Sequence, residues 1–117
     1  MTIPTPPTLR PITATDTDLP AWAEETTDWY LDNSPRTDRS TDNWVRQVAV
    51  RRGPDLILSI SAFQDRKGTD GPIITAPLDV ELDGYVEMTR SDLSEIAQGC
   101  RDLMVILKRI EHAEGRR

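Results

Sequence analysis

The chain has 117 residues, a net charge of -6, 29% charged residues and 5% aromatic residues, which predicts one domain with an aliphatic core. Its acidity, with a pI of about 4.7, argues against direct nucleic-acid binding and against an anionic membrane surface, both of which need clustered Lys and Arg. One cysteine, Cys100, and one histidine, His112, exclude an internal disulfide and a four-ligand structural zinc site.

No apolar run approaches the 18 or so residues of a membrane span. The opening "MTIPTPPTLRPIT" has neither the charged nor the apolar region of a signal peptide. A cytoplasmic protein is expected. Twelve Arg against two Lys, with thirteen Thr and thirteen Asp, point to a high-GC actinobacterium or one of its phages as the source.

Residues 1–15 hold Pro4, Pro6, Pro7 and Pro11 and read as a flexible tail, since proline fixes φ and removes a donor. The single domain is expected over 16–114, with 115–117 a flexible end. In 18–33, Leu19, Trp22, Ala23, Thr26, Trp29 and Tyr30 fall on one face of a 3.6-residue period. Glu24, Glu25, Asp28 and Asp32 take the other side. That spacing predicts a short helix capped by Asp18 and stopped at "NSP", 33–35. Residues 34–42 read as loop.

The period then changes to two. In 43–52, Trp44, Val48 and Val50 share a face with Arg46, and "GP" at 53–54 turns the chain. Residues 55–64 alternate Leu56, Leu58, Ile60 and Ala62 with Ile57, Ser59, Ser61 and Phe63, as in a central strand covered on both faces. Residues 65–71 read as a polar loop. In 72–82, Ile74, Ala76, Leu78, Val80 and Leu82 alternate with polar residues, and Pro77 argues for an edge or a bulge. Asp83-Gly84 then signals a hairpin into a short strand at 85–88.

Residues 90–113 read as a long helix. Thr89 is the N-cap, with Asp92 facing the positive end. Leu93, Ile96, Ala97, Cys100, Leu103, Met104, Leu107 and Ile110 form an apolar arc, and Val105 and Ile106 fall outside it. A helix apolar nearly all round needs cover on more than one side. Two covers stand open: a second copy through Leu103, Val105, Ile106 and Ile110, or the chain's own N-terminal segment. The expected fold is α+β: a three- to four-stranded antiparallel meander, the long C-terminal helix and the short N-terminal one.

Catalytic signatures are absent. Asp79, Glu81, Asp83 and Glu87 could converge for acid–base work, but alternating acids on a strand are ordinarily its solvated face. Asp65, Asp70 and Gly71 fit neither a calcium loop nor a phosphate loop. Cys100 in the apolar arc reads as a small core residue, and His112 as a helix-end cation. No catalytic residue, metal or cofactor is expected.

"PAW" at 20–22 and "MTRSDLSEIAQGCRDLMVIL" at 88–107 resemble a family of small actinobacterial and actinophage proteins of uncharacterised function. Its members pair Trp with Cys near the N-terminus, ahead of a His, strands and a Thr-capped helix. Trp22 matches, but Ala23 stands where the Cys would be and no His precedes His112, so a metal or thiol role does not carry over. The resemblance implies no activity.

Three functions follow as expectations. The first is a non-enzymatic interaction protein, homodimeric, phage-encoded and binding a host protein, with Trp22, Glu24, Glu25, Asp28, Trp29 and Asp32 as the partner-binding segment. The second is an acidic mimic of nucleic acid that inhibits a DNA-binding protein. The third is a small-molecule enzyme or sensor using Asp79, Glu81 and Glu87. Residues 18–33 are alternatively a lid, with Trp22, Trp29 and Tyr30 over the second face of the central strand. The lid is favoured, because leaving that apolar area in water is costly.

Overall fold

The computed structural model describes residues 7–31, 43–82 and 89–113. Among them, seven strands form a mostly antiparallel sheet, and one long helix ends the chain, an α+β architecture. The strands are β1 (Arg10–Pro11), β2 (Glu25–Thr26), β3 (Tyr30–Leu31), β4 (Asn43–Arg52), β5 (Leu58–Lys67), β6 (Ile74–Thr75) and β7 (Asp79–Leu82). The helix, α1, is Arg90–Ala113. Residues divide into two compact units: 1–49 with 61–78, and 50–60 with 79–117.

The first unit is built on β4 and β5. Their facing positions explain both strands: Val48, Ala49 and Ala62 are buried at β-favoured or small residues. Neighbours pair in the order β1-β2-β4-β5-β6, with β3 also on β4. Arg10 and Pro11 pair with Thr26 and Glu25, so this part of the proline-rich stretch belongs to the sheet and is not tail. Pro11 sits on the outermost strand, where its missing donor is tolerated.

The expected helix at 18–33 does not form. Glu25 and Thr26 pair with Ala49 and Val48, and Tyr30 and Leu31 with Val45 and Trp44. The β-branched pair Thr26 and Thr27 is almost wholly buried, and the edge of β4 offers this segment a ladder that its weak helix propensity cannot match. Between the two pairings the register advances by one residue. Asp28 and Trp29 together stand opposite the single Arg46, which is a β-bulge. Thr27 marks its start: its backbone N–H donates to Gln47 O at 2.9 Å, and its hydroxyl accepts from Gln47 N–H at 3.0 Å.

Arg10 ties the bulge down from outside. Its guanidinium donates to both carboxylate oxygens of Asp16 at 2.9 Å, and through Nε and one terminal nitrogen to Asp28 Oδ1 at 2.9 and 2.7 Å. Asp16 also accepts from the Thr13 backbone N–H at 2.7 Å. Arg10 first, and that N–H second, hold the Asp16 carboxyl well below the usual carboxylate range. A carboxyl with a lowered native pKa stabilises in full above its unfolded value of about 4, and loses that as pH falls through the native value. Asp16→Asn is expected to cost about 1–3 kcal/mol at neutral pH. Urea unfolding across a pH series should show the gap to wild type closing below about pH 4; a gap constant down to about pH 2 rejects the linkage.

In the second unit, β4 ends and β5 begins around the loop Gly53–Ile57. The expected strand start at Asp55 is displaced to Leu58, because Gly53, Asp55 and Leu56 adopt φ of 89°, 54° and 56° and Pro54–Leu56, capped by Gly53, forms a short 3-10 turn. At its other end β5 continues through Lys67, so Asp65–Lys67, expected as loop, is strand. Residues 72–82 form two pieces, β6 and β7, both paired with β5 and separated around Pro77, which lacks the N–H a continuous ladder needs. The hairpin and strand expected at 83–88 lie outside the described residues, as do 32–42.

The helix forms where expected. The Thr89 hydroxyl accepts from Asp92 N–H at 3.1 Å, and Asp92 Oδ2 accepts from Thr89 N–H at 2.9 Å, a reciprocal cap. Gly99, Leu103 and Ile110 are buried, and Ile96, Ile106 and Leu107 are half-buried. Gly99 lets the helix backbone approach the loop: a Cβ there would lie 2.9 Å from Leu58 Cδ1, 3.1 Å from Arg52 Cβ and 3.3 Å from Gly53 N.

Candidate functional site

The buried stripe of α1 is only part of the expected arc: Leu103 and Ile110 are buried and Ile96 and Leu107 half-buried, while Leu93, Ala97, Cys100 and Met104 are exposed. Gly99, Leu103, Ile106 and Ile110 follow a 4-3-4 spacing, and this line faces the protein. Leu93, Ala97, Cys100 and Met104 follow a second line, about 100° round the helix at 100° per residue, and all four are exposed. Leu93 is 57% exposed and Met104 52%. The physical reason lies at Gly99, where closest approach to Leu58 and Gly53 turns that side inward and leaves the adjoining apolar line in solvent.

The proposed dimer residues therefore separate. Leu103 and Ile110 are buried within their own unit, Ile106 is half-buried, and only Val105 is exposed. Leu103, Ile106 and Ile110 cannot serve as a free surface. Cys100, expected in the core, is exposed. The usable apolar line is Leu93, Ala97, Cys100 and Met104, continued by half-buried Leu107. Gln98 and Arg101 join by a hydrogen bond of 2.8 Å beside it. Arg90, Arg101 and Lys108, all exposed, run along its outer flank at about 60–80° from its centre.

Other exposed apolar side chains stand on β6 in the first unit and, separately, on β7 in the second. Ile74, Val80 and Leu82 are exposed by 65%, 60% and 61%, so the alternation read in 72–82 does not separate a buried face from a wet one. Asp79 and Glu81 are exposed on the same strand, not in the dry setting that acid–base chemistry needs. Glu87 lies outside the described residues. Among the described residues, no group of three His, Cys, Asp or Glu is placed to hold a metal ion, and no helix is long and apolar enough to cross a membrane.

The partner-binding segment is also rearranged. Glu24, Glu25 and Asp28 do not share a helical face, because the segment is extended and bulged. Asp28 is bound to Arg10 at 2.7 Å, and Glu24 and Glu25 are engaged as well. Trp22 and Trp29 are half-buried, and Asp32 lies outside the described residues. This removes the regular row of acids that phosphate mimicry would use.

Sequence reasoning missed one cluster. Arg46, 3% exposed, donates from Nε to Gln64 Oε1 at 2.7 Å and from a terminal nitrogen to Thr17 O at 2.7 Å and Asp18 O at 3.3 Å. Gln64 donates in turn to Thr75 Oγ1 at 3.1 Å. The bulge aims Trp29 at this group, and the guanidinium carbons of Arg46 and Arg66 lie 4.4 and 4.3 Å from its ring centre. Burial lowers the Arg46 pKa, and the charge of Arg66 lowers it further. The readable signal was a polar residue on the apolar face of each of two neighbouring strands, Arg46 among Trp44, Val48 and Val50, and Gln64 beyond Ile60 and Ala62.

Comparison with protein-family models, curated proteins and solved structures finds no match for this chain.

Proposed function

We propose that this is a non-catalytic protein-interaction protein that works as a homodimer, with the exposed apolar line of α1 as the contact. The observation that supports this is the line itself: Leu93, Ala97, Cys100 and Met104 stay in water beside a fully occupied buried stripe. Small residues at its middle, Ala97 and Cys100, let two helices approach closely. Leu93 and Leu107 are equidistant from Cys100 in the chain, so an antiparallel two-fold pairing sets Leu93 against Leu107 and Cys100 against its own copy.

Static light scattering should give twice 13.2 kDa for wild type at about 100 μM. Met104→Glu should return it to the single mass without loss of helix, since the side chain is exposed. Mild oxidation should join two chains through Cys100. A monomeric wild type with no cross-link rejects the homodimer.

The basic row supports a second reading, an acidic amphipathic segment of another protein on the same line. Antiparallel self-pairing sets Arg101 near Arg101 of the other copy, so added salt should tighten a homodimer by screening like charges. An acidic partner would instead be weakened by salt.

A further inference from the structure

A third property resides in the first unit. Among the described residues the side-chain Nε of Arg66, on β5, is buried without a hydrogen-bond partner. Its contact is the face of Trp29. On the same ring is Arg46, almost wholly buried, donating to Gln64 Oε1 and to the Thr17 and Asp18 backbone carbonyls, with the Asp16 and Asp18 carboxylates near enough to act on its charge. Two guanidinium groups are thus collected on one indole, with no carboxylate of the described residues hydrogen-bonded to either.

Such an arrangement is costly for folding alone. A buried N–H left unmade carries its desolvation penalty without recompense, and native structures hold few such groups. Trp29 holds Arg66 by its ring face, and among the described residues the in-plane Nε donor has no partner. The donors of a guanidinium form a fork whose geometry matches an oxyanion in two parallel hydrogen bonds. Arg46 adds a second positive charge in a poorly hydrated setting, where it acts more strongly than in water. The extra residue of the bulge brings Trp29 to Arg46 in the first place. We propose that Arg66, set on Trp29 beside Arg46, is a binding site for an oxyanion, a carboxylate or phosphate group, with the Arg66 guanidinium as its direct ligand.

The test is thermal unfolding of the full chain with inorganic phosphate and with acetate, each against chloride at equal ionic strength. Phosphate at about 10 mM should raise Tm by at least about 2 °C over chloride in wild type. Arg66→Gln should abolish that increment, and Arg66→Lys, which keeps charge but loses the fork, should reduce it. Phosphate also stabilises proteins generally by exclusion from their surface, so an equal increment in wild type and Arg66→Gln overturns the site. No increment over chloride with either anion in wild type overturns it too, a result independent of whether the variants fold. A larger response to phosphate than to acetate assigns a phosphate-bearing ligand, and the reverse a carboxylate.

Discussion

Arg46→Ala should remove about 3–5 kcal/mol of stability, a large share of the roughly 5–15 kcal/mol that holds such a chain folded. The charge itself is not the reason. Arg46 satisfies Gln64 Oε1, Thr17 O and Asp18 O at once, and Gln64 is 2% exposed. Truncation leaves buried Gln64 Oε1 dry and unpaired, at about 1–3 kcal/mol, takes a donor from the Thr17 and Asp18 carbonyls, of which Asp18 O keeps Gln64 Nε2 at 3.4 Å, empties a buried side-chain volume, and strips one guanidinium from Trp29. Arg46→Met is the control: it keeps most of the volume and avoids burying a charge, so it should lose less than alanine. Arg46→Lys keeps the charge but cannot reach two acceptors with a planar fork, and should fall below wild type by about 2 kcal/mol. Urea midpoints give all three. Arg46→Ala within about 1 kcal/mol of wild type would mean that the network contributes little.

Gly99→Leu should lose about 3 kcal/mol in the same experiment, although leucine is the better helix former by about 1 kcal/mol. Local propensity and tertiary packing oppose each other here, and packing wins on distance. Leu58 Cδ1 could rotate away from a new Cβ, but Arg52 Cβ and Gly53 N belong to the chain itself. Gly53, at φ 89°, is held in a turn whose neighbours Asp55 and Leu56 are also left-handed, so the loop has little room to yield. The helix must lift, which also opens the Arg52–Asp102 contact of 3.8 Å. Gly99→Ala should lose about 1 kcal/mol or less. A leucine variant as stable as wild type would show that the loop moves freely.

Features decided by neighbours in sequence were legible. Thr89 and Asp92 cap the helix by contacts three residues apart, and β4 follows from its alternation. Features decided by distant partners were not. The segment from Leu19 to Tyr30 mimics a helical period partly because a bulge breaks strand alternation, and a bulge exists only once β4 is alongside. On α1, hydrophobicity ranks Leu93 and Met104 above Gly99, yet closeness of approach decides which side is buried. The loss of the acid row has the same origin: the spacing of Glu24, Glu25 and Asp28 has helical meaning only in a helix. The expectation of an exposed apolar surface on α1 rested on counting apolar positions round the wheel, a sum indifferent to which line is buried.

Pro77 also bears on the protein's behaviour in a crowded solution. In the second unit β7 presents Val80 and Leu82 to water, and an exposed apolar strand is the kind of segment on which foreign strands add and fibrils start. Steric-zipper segments run to about six residues and exclude proline. Pro77 stands in the chain between the two-residue β6 and the four-residue β7, each below that length, and a proline so placed is the kind of residue that breaks an aggregation-prone run.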